Sequence, residues 1–159
     1  MTTTLTAATL TVTVSESITL NGASQGATNS ISHASIAEIT KRILTITTAE
    51  STIATFSAAV ASAGHYVAAD VRYIRFTNLD DTNFITLTFR NQDNDEAAIK
   101  LDAGASFVWN ADNSGGMVDV LNATQDADAA SDTALGDLTN IQADANTGSC
   151  DLEMFIASV

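Results

Sequence analysis

A chain of 159 residues with six Lys plus Arg against nineteen Asp plus Glu has a formal charge of −13, which opposes binding to a nucleic-acid backbone or an anionic membrane. Hydrophobic residues make up 45% of it and charged residues only 16%, so Thr, Ser, Asn and Gln supply much of the polar surface, a β composition. The length fits one domain, 1–159, with a real hydrophobic core. The absence of proline leaves every strand able to donate to a ladder. A single cysteine, Cys150, excludes an internal disulfide or a Cys-based metal cluster.

The charge is uneven. The last cation is Lys100, and Leu101 to Val159 carries only acids; as an outer face this third would repel other copies and accept a neutral or basic partner. No apolar run approaches the roughly 20 residues of a membrane span. Met1-Thr2-Thr3-Thr4-Leu5 lacks the basic start and apolar block of a signal peptide, so the protein is expected to be made and used without secretion.

Taken in order, Thr2 to Thr13 alternates Thr with Leu, Ala and Val, and Leu10, Val12 and Val14 share a face. Residues 1–14 thus form a pairing arm that completes its own sheet or crosses to a neighbouring subunit, the first being favoured. Ser15 to Leu20 can continue it. Asn21 to Ser35, opened by the turn dipeptide Asn21-Gly22, reads as a long surface loop containing His33. Thr40 to Thr47 and Ser51 to Phe56 read as strands; Ser57 to Gly64 is ambiguous between a short helix and an extended segment.

The centre is the most legible part. In Val71 to Phe76, alternation sends Ile74 and Phe76 into a core and Tyr73 and Arg75 outward. Thr77 to Asn83 is turn chemistry, and Phe84 to Phe89 puts Ile85, Leu87 and Phe89 on one face. Ile99 and Leu101 lead through Asp102-Ala103-Gly104-Ala105 into Phe107-Val108-Trp109. Asn110 to Gly116 reads as a turn and Met117 to Leu121 as a short strand. Asn122 to Gly148 reads as loops with one brief strand near Leu138 to Ala143. Cys150 to Ile156 is a closing strand with Cys150, Leu152, Met154 and Ile156 inward. About eight short strands at irregular spacing predict an all-β fold, an antiparallel β-sandwich or jelly roll with long polar loops.

No constellation of catalytic residues emerges, and no cofactor is implied. There is no G-x-S-x-G elbow, and His33 and His65 stand alone in expected loops, where a solvated or hydrogen-bonded histidine is the ordinary reading. Cys150 lies in an apolar alternation, where a thiol acts as a small hydrophobe. The oxygen-rich run Asp93-Asn94-Asp95-Glu96 fails as an EF-hand, because the required glycine falls on Ala98 and position eight on Lys100; it reads as a solvated hairpin tip, and Asp126 and Asp128 likewise as solvated acids. Asn122-Ala123-Thr124 fits a glycosylation sequon that, without a signal peptide, is chance. An enzyme is therefore not expected.

The run Val71-Arg72-Tyr73-Ile74-Arg75-Phe76-Thr77-Asn78-Leu79-Asp80-Asp81-Thr82-Asn83-Phe84-Ile85-Thr86-Leu87, then Ile99-Lys100-Leu101-Asp102-Ala103-Gly104-Ala105-Ser106-Phe107 and the ending Asp151 to Ala157, resembles small virion proteins of tailed bacteriophages, especially marine and cyanobacterial ones. The resemblance covers about a third of the chain. It implies a non-enzymatic virion component made in the host cytoplasm, with a capsid decoration (cement) protein on the outer shell as the leading form. The implied partners are the major capsid protein or other virion proteins and further copies of the chain, with a trimer favoured. A tail or head-to-tail component is the alternative within that class, and a receptor- or glycan-binding module the alternative outside it. Contact residues expected on this reading are Leu5, Leu10, Val12, Val14 and Tyr73, with the acidic final third facing solvent.

Overall fold

The computed structural model describes residues 5–60, 62–122 and 135–159. Residues 2–4 of the arm, Ala123 and Thr124 of the sequon, and Asp126, Asp128 and Asp132 lie outside them. The described chain forms strands β1 (Ala8–Ser15), β2 (Thr19–Leu20), β3 (Ala23–Ser24), β4 (Thr28–Ile36), β5 (Glu38–Ile46), β6 (Ser51–Ser57), β7 (His65–Val67), β8 (Val71–Asn78), β9 (Ile85–Asn91), β10 (Glu96–Leu101), β11 (Ser106–Asn110), β12 (Leu138–Ala145) and β13 (Cys150–Ser158), with one 3-10 turn at Ala68–Asp70.

These strands build a β-sandwich. One layer has the order β10-β9-β12-β6-β7 and the other β11-β8-β13-β5. Every pairing is antiparallel except β6 with β7. Period-two alternation produces the core, since a strand that buries one face must send every second side chain inward. Ile74 and Phe76 of β8, Ile85, Leu87 and Phe89 of β9, and Cys150, Leu152, Met154 and Ile156 of β13 are all buried and meet in one cluster. At the β10/β11 side Phe89 closes the sandwich against Phe107 and Trp109, with ring centroids 5.2 and 5.7 Å away.

Two fully or nearly buried asparagines fix the turns. Asn78 Nδ2 donates to the carbonyls of Asn83 (2.8 Å) and Leu101 (3.1 Å), while its Oδ1 accepts from Asp80 N at 3.0 Å. Asn91 Oδ1 accepts from the backbone of Asp93 (3.0 Å) and Asp95 (2.9 Å), so Asp93 to Glu96 is the tip of the β9–β10 hairpin. Asp80 in turn accepts from Asn83 N and, second, Thr82 N, which hold its carboxyl below the usual range.

Three readings of the sequence are corrected. Asn21 to Ser35 is no loop: β3 and β4 lie there, and β4 pairs with β1 in a two-stranded ribbon separate from both layers. Met117 to Leu121 is not a strand. Met117 is fully buried and donates its N–H to Ala68 O at 2.8 Å, after Gly116 (φ +60°) passes so close to Ala68 that a Cβ would lie 2.4 Å from that carbonyl. Nor do the described residues of the last third stand apart as an outer face, because β12 and β13 are interior strands of their sheets and send Leu138, Ile141, Cys150, Leu152 and Met154 into the core.

Candidate assembly surface

The register of the four-stranded sheet sets its outer face. Across it run the rows Ile39–Ala157–Tyr73–Asn110, Lys41–Phe155–Arg75–Val108 and Ile43–Glu153–Thr77–Ser106, from β5 through β13 and β8 to β11. Glu153 is clasped by Arg75 Nη2 at 2.5 Å and Lys41 Nζ at 3.2 Å. The Arg75 hydrogen bond first, then that of Lys41, holds the Glu153 carboxyl below its ordinary value. Arg75 also donates to Thr77 Oγ1 at 2.5 Å, and Thr77 pairs with Ser106 Oγ at 2.8 Å. The polar half of this face is thus a connected cross-strand network.

The ribbon lies on the other half. Ser35, at φ +63°, turns β4 toward β5, and Ala37 N donates to Ser158 O at 2.9 Å. Ile36, Tyr73 and Ala157 form a small second core, roofed by Leu10 and Val12 and flanked by Phe155 and Val159. Tyr73 and Phe155 meet edge to face, with centroids 5.8 Å apart. Further along β4, fully buried His33 places Nδ1 2.7 Å from Asn113 Oδ1 and Nε2 3.4 Å from Asn110 Oδ1. The ribbon therefore crosses the strands from the β13/β8 side toward β11.

Beyond Val12 and His33, no described residue of the ribbon joins a buried core of the sandwich. Val14 and Ile31, on the same face as Leu10 and Val12, are 48% and 38% exposed. Glu16 N to Ala27 O (2.8 Å) and Gln25 N to Ile18 O (2.9 Å) carry the ladder on to the β2–β3 tip, which turns through Asn21 and Gly22, both at positive φ as an Asn-Gly hairpin requires. Ile18 and Leu20 stand 55% and 59% exposed there. The opposite face of the ribbon carries hydroxyl rungs, Thr11–Ser32, Thr13–Ser30 and Ser15–Thr28.

The five contact residues expected from sequence divide accordingly. Leu10, Val12 and Tyr73 come together, but within the molecule: Tyr73 faces outward from its sheet and is then buried by the ribbon, so it is no exposed contact. Burial raises its hydroxyl pKa, with Arg75 opposing. Leu5 and Val14 are exposed and stand apart from that cluster. Sequence reasoning missed Ile18 and Leu20, although Leu20 adjoins the Asn21-Gly22 turn. It also missed Ile39 and Ile43 of β5, which are 56% and 60% exposed and whose two-residue alternation with Lys41 marks an open face.

Elsewhere the chemistry is structural. Cys150 is a free, buried thiol whose pKa burial raises, with nearby Asp80 adding to the effect. Among the described residues no group of three or more His, Cys, Asp or Glu is placed to hold a metal ion, and no helix is long and apolar enough to cross a membrane. The class defined by these features is a β-sandwich carrying a half-docked apolar ribbon. Comparison with family models, curated proteins and solved structures finds no match.

Proposed function

We propose that this protein is a non-enzymatic structural component of a tailed-phage virion, a capsid decoration protein, and that its ribbon is the element through which it assembles. The observation that carries this reading is the exposed apolar half of the ribbon, from Val14 through Ile18 and Leu20 to Ile31. A projecting hairpin of this kind buries its apolar face only by meeting another surface. The strand-turn-strand resemblance of Val71 to Phe107 supplies the virion context. A receptor- or glycan-binding module has less support, since Tyr73, its best aromatic contact, is covered.

Cosedimentation with emptied capsids of the cognate phage tests this. Saturable binding at a fixed number of copies per capsid is expected. Binding to purified tails but not capsids would move the protein to the tail, and binding to neither would overturn the reading.

A further inference from the structure

We propose that the free half of the ribbon straps onto a second copy of this chain, laying Val14, Ile31 and the Ile18/Leu20 tip over Ile39 and Ile43 of that copy's β5, whose edge is added to β11 of the first. This rests on reading the ribbon as the assembly element and names the surface it meets.

The ribbon's underside already defines the kind of surface it fits. Its inner half covers Tyr73, Phe155 and Ala157 on the outer face of the four-stranded sheet. Ile39 and Ile43 lie in rows of that same face, at its opposite edge, and remain uncovered. Because the ribbon crosses from β13 and β8 toward β11, its own Ile39 and Ile43 lie behind it and its free half points away from them. Only another copy can bring them under the strap.

The sheet edges agree. β5 and β11 are the two edges of the four-stranded sheet, and direction alternates from β5 through β13 and β8 to β11. A second copy's β5 placed beside β11 in the same orientation therefore runs antiparallel to it and extends the sheet. β5 pairs with β13 over nine residues without a bulge, and β11, Ser106-Phe107-Val108-Trp109-Asn110, has no charged residue, so it lacks the usual protection of an edge strand. Five residues of strand are too few for a specific interface, which takes roughly 20–30 residues a side; the strap supplies the remainder.

Charge favours the same partner. In a molecule of net charge −13, Leu5 to Ala37 holds one acid, Glu16, and no Lys or Arg. This is the part of the chain that approaches another copy with least repulsion. It meets the face of β5 that carries Lys41, whose side chain is 59% exposed beside Glu153. The contact joins two different surfaces, so it is head to tail and generates a closed ring of three or more copies or a filament.

The test combines solution mass with cross-linking. Purified Ile31→Cys and Ile39→Cys chains are mixed and treated with a short bis-maleimide, the parent chain with its buried Cys150 serving as control. Light scattering should give a mass of three or more chains, with cross-links in the mixture well above those in either variant alone. Ile39→Ser, at an exposed position, should lower the mass to one chain with unchanged circular dichroism. A monomeric parent overturns the strap, as does a dimer in which Ile39→Cys cross-links to itself, which would mean β5 pairing with β5. Monomers that still bind capsids would sink the strap and leave the proposed function standing; rings that bind neither capsids nor tails would do the reverse.

Discussion

At the scale of single residues, Asn78 concentrates more of the fold's specificity than any apolar neighbour. It is fully buried, donates to two carbonyls and accepts from one amide, and so joins the ends of three strands through one side chain. Asn78→Ala leaves those groups without partners in a dry site, and a loss of about 2–4 kcal/mol in urea unfolding is expected. Asn78→Asp should be worse, because it sets a carboxylate against the carbonyls of Asn83 and Leu101. Glu153 offers a pH test. Its folded-state pKa is depressed by Arg75 and Lys41, so its contribution is present above the unfolded pKa and is lost as pH falls through the folded one. The melting temperature of the wild type should exceed that of Glu153→Gln at pH 7, and the gap should close below about pH 4. A gap that does not narrow on acidification would mean the glutamate acts by packing rather than charge. The turn role was legible for Leu79 to Asn83, since Asn and Asp are residues that replace backbone partners in turns, whereas Thr77 and Asn78, also expected in the turn, belong to β8. That Asn78 reaches Leu101 was not legible, because the contact is long-range.

At the scale of elements, the ribbon should behave as a unit distinct from the sandwich. Its inner half is held by Tyr73, Phe155, Ile36 and Ala157 and by His33 between Asn110 and Asn113. Tyr73→Ala removes the largest member of that small core at a cost of about 3 kcal/mol. Amide exchange in β1 and β4 should then accelerate while β9 and β12 stay protected. Uniform acceleration across all strands would show instead that ribbon and sandwich unfold together. This division also explains which strands the sequence disclosed. β8, β9 and β13 bury one face in a thick core and alternate clearly. β4, Thr-Asn-Ser-Ile-Ser-His-Ala-Ser-Ile, faces solvent on one side and only a thin contact on the other, so Ser and Asn dominate and it passes for a loop. Met117 to Leu121 failed in the opposite sense: its apolar residues fill the core from a turn, where no period of two applies. Leu10 and Val12 were readable as a face, but what covers Tyr73 depends on β4.

At the scale of the whole molecule, the described acids of β13 are set among core residues rather than gathered on an acidic face of their own. Along β13, Asp151 and Glu153 alternate with buried Cys150, Leu152 and Met154, and Glu153 is neutralised by cations from β5 and β8. The remaining charge repels any second copy from most directions, whereas the free half of the ribbon holds one acid. Association through that ribbon is thus an apolar contact working against a diffuse repulsion, and salt acts on the two unequally. The Debye length falls from about 10 Å at 0.1 M to about 3 Å at 1 M, which screens the repulsion between whole molecules and leaves apolar burial intact. Sedimentation velocity at 0.05 M and 0.5 M NaCl, illustrative concentrations spanning roughly that range, should therefore show the larger species gaining with salt. A shift toward monomer at high salt would mean that cations such as Lys41 dominate the contact. The Ile18→Ser/Leu20→Ser chain separates the terms further: it keeps every charge and therefore the repulsion that salt screens, so it should associate less than the parent at both salt concentrations, and what association it retains must come from edges and ion pairs.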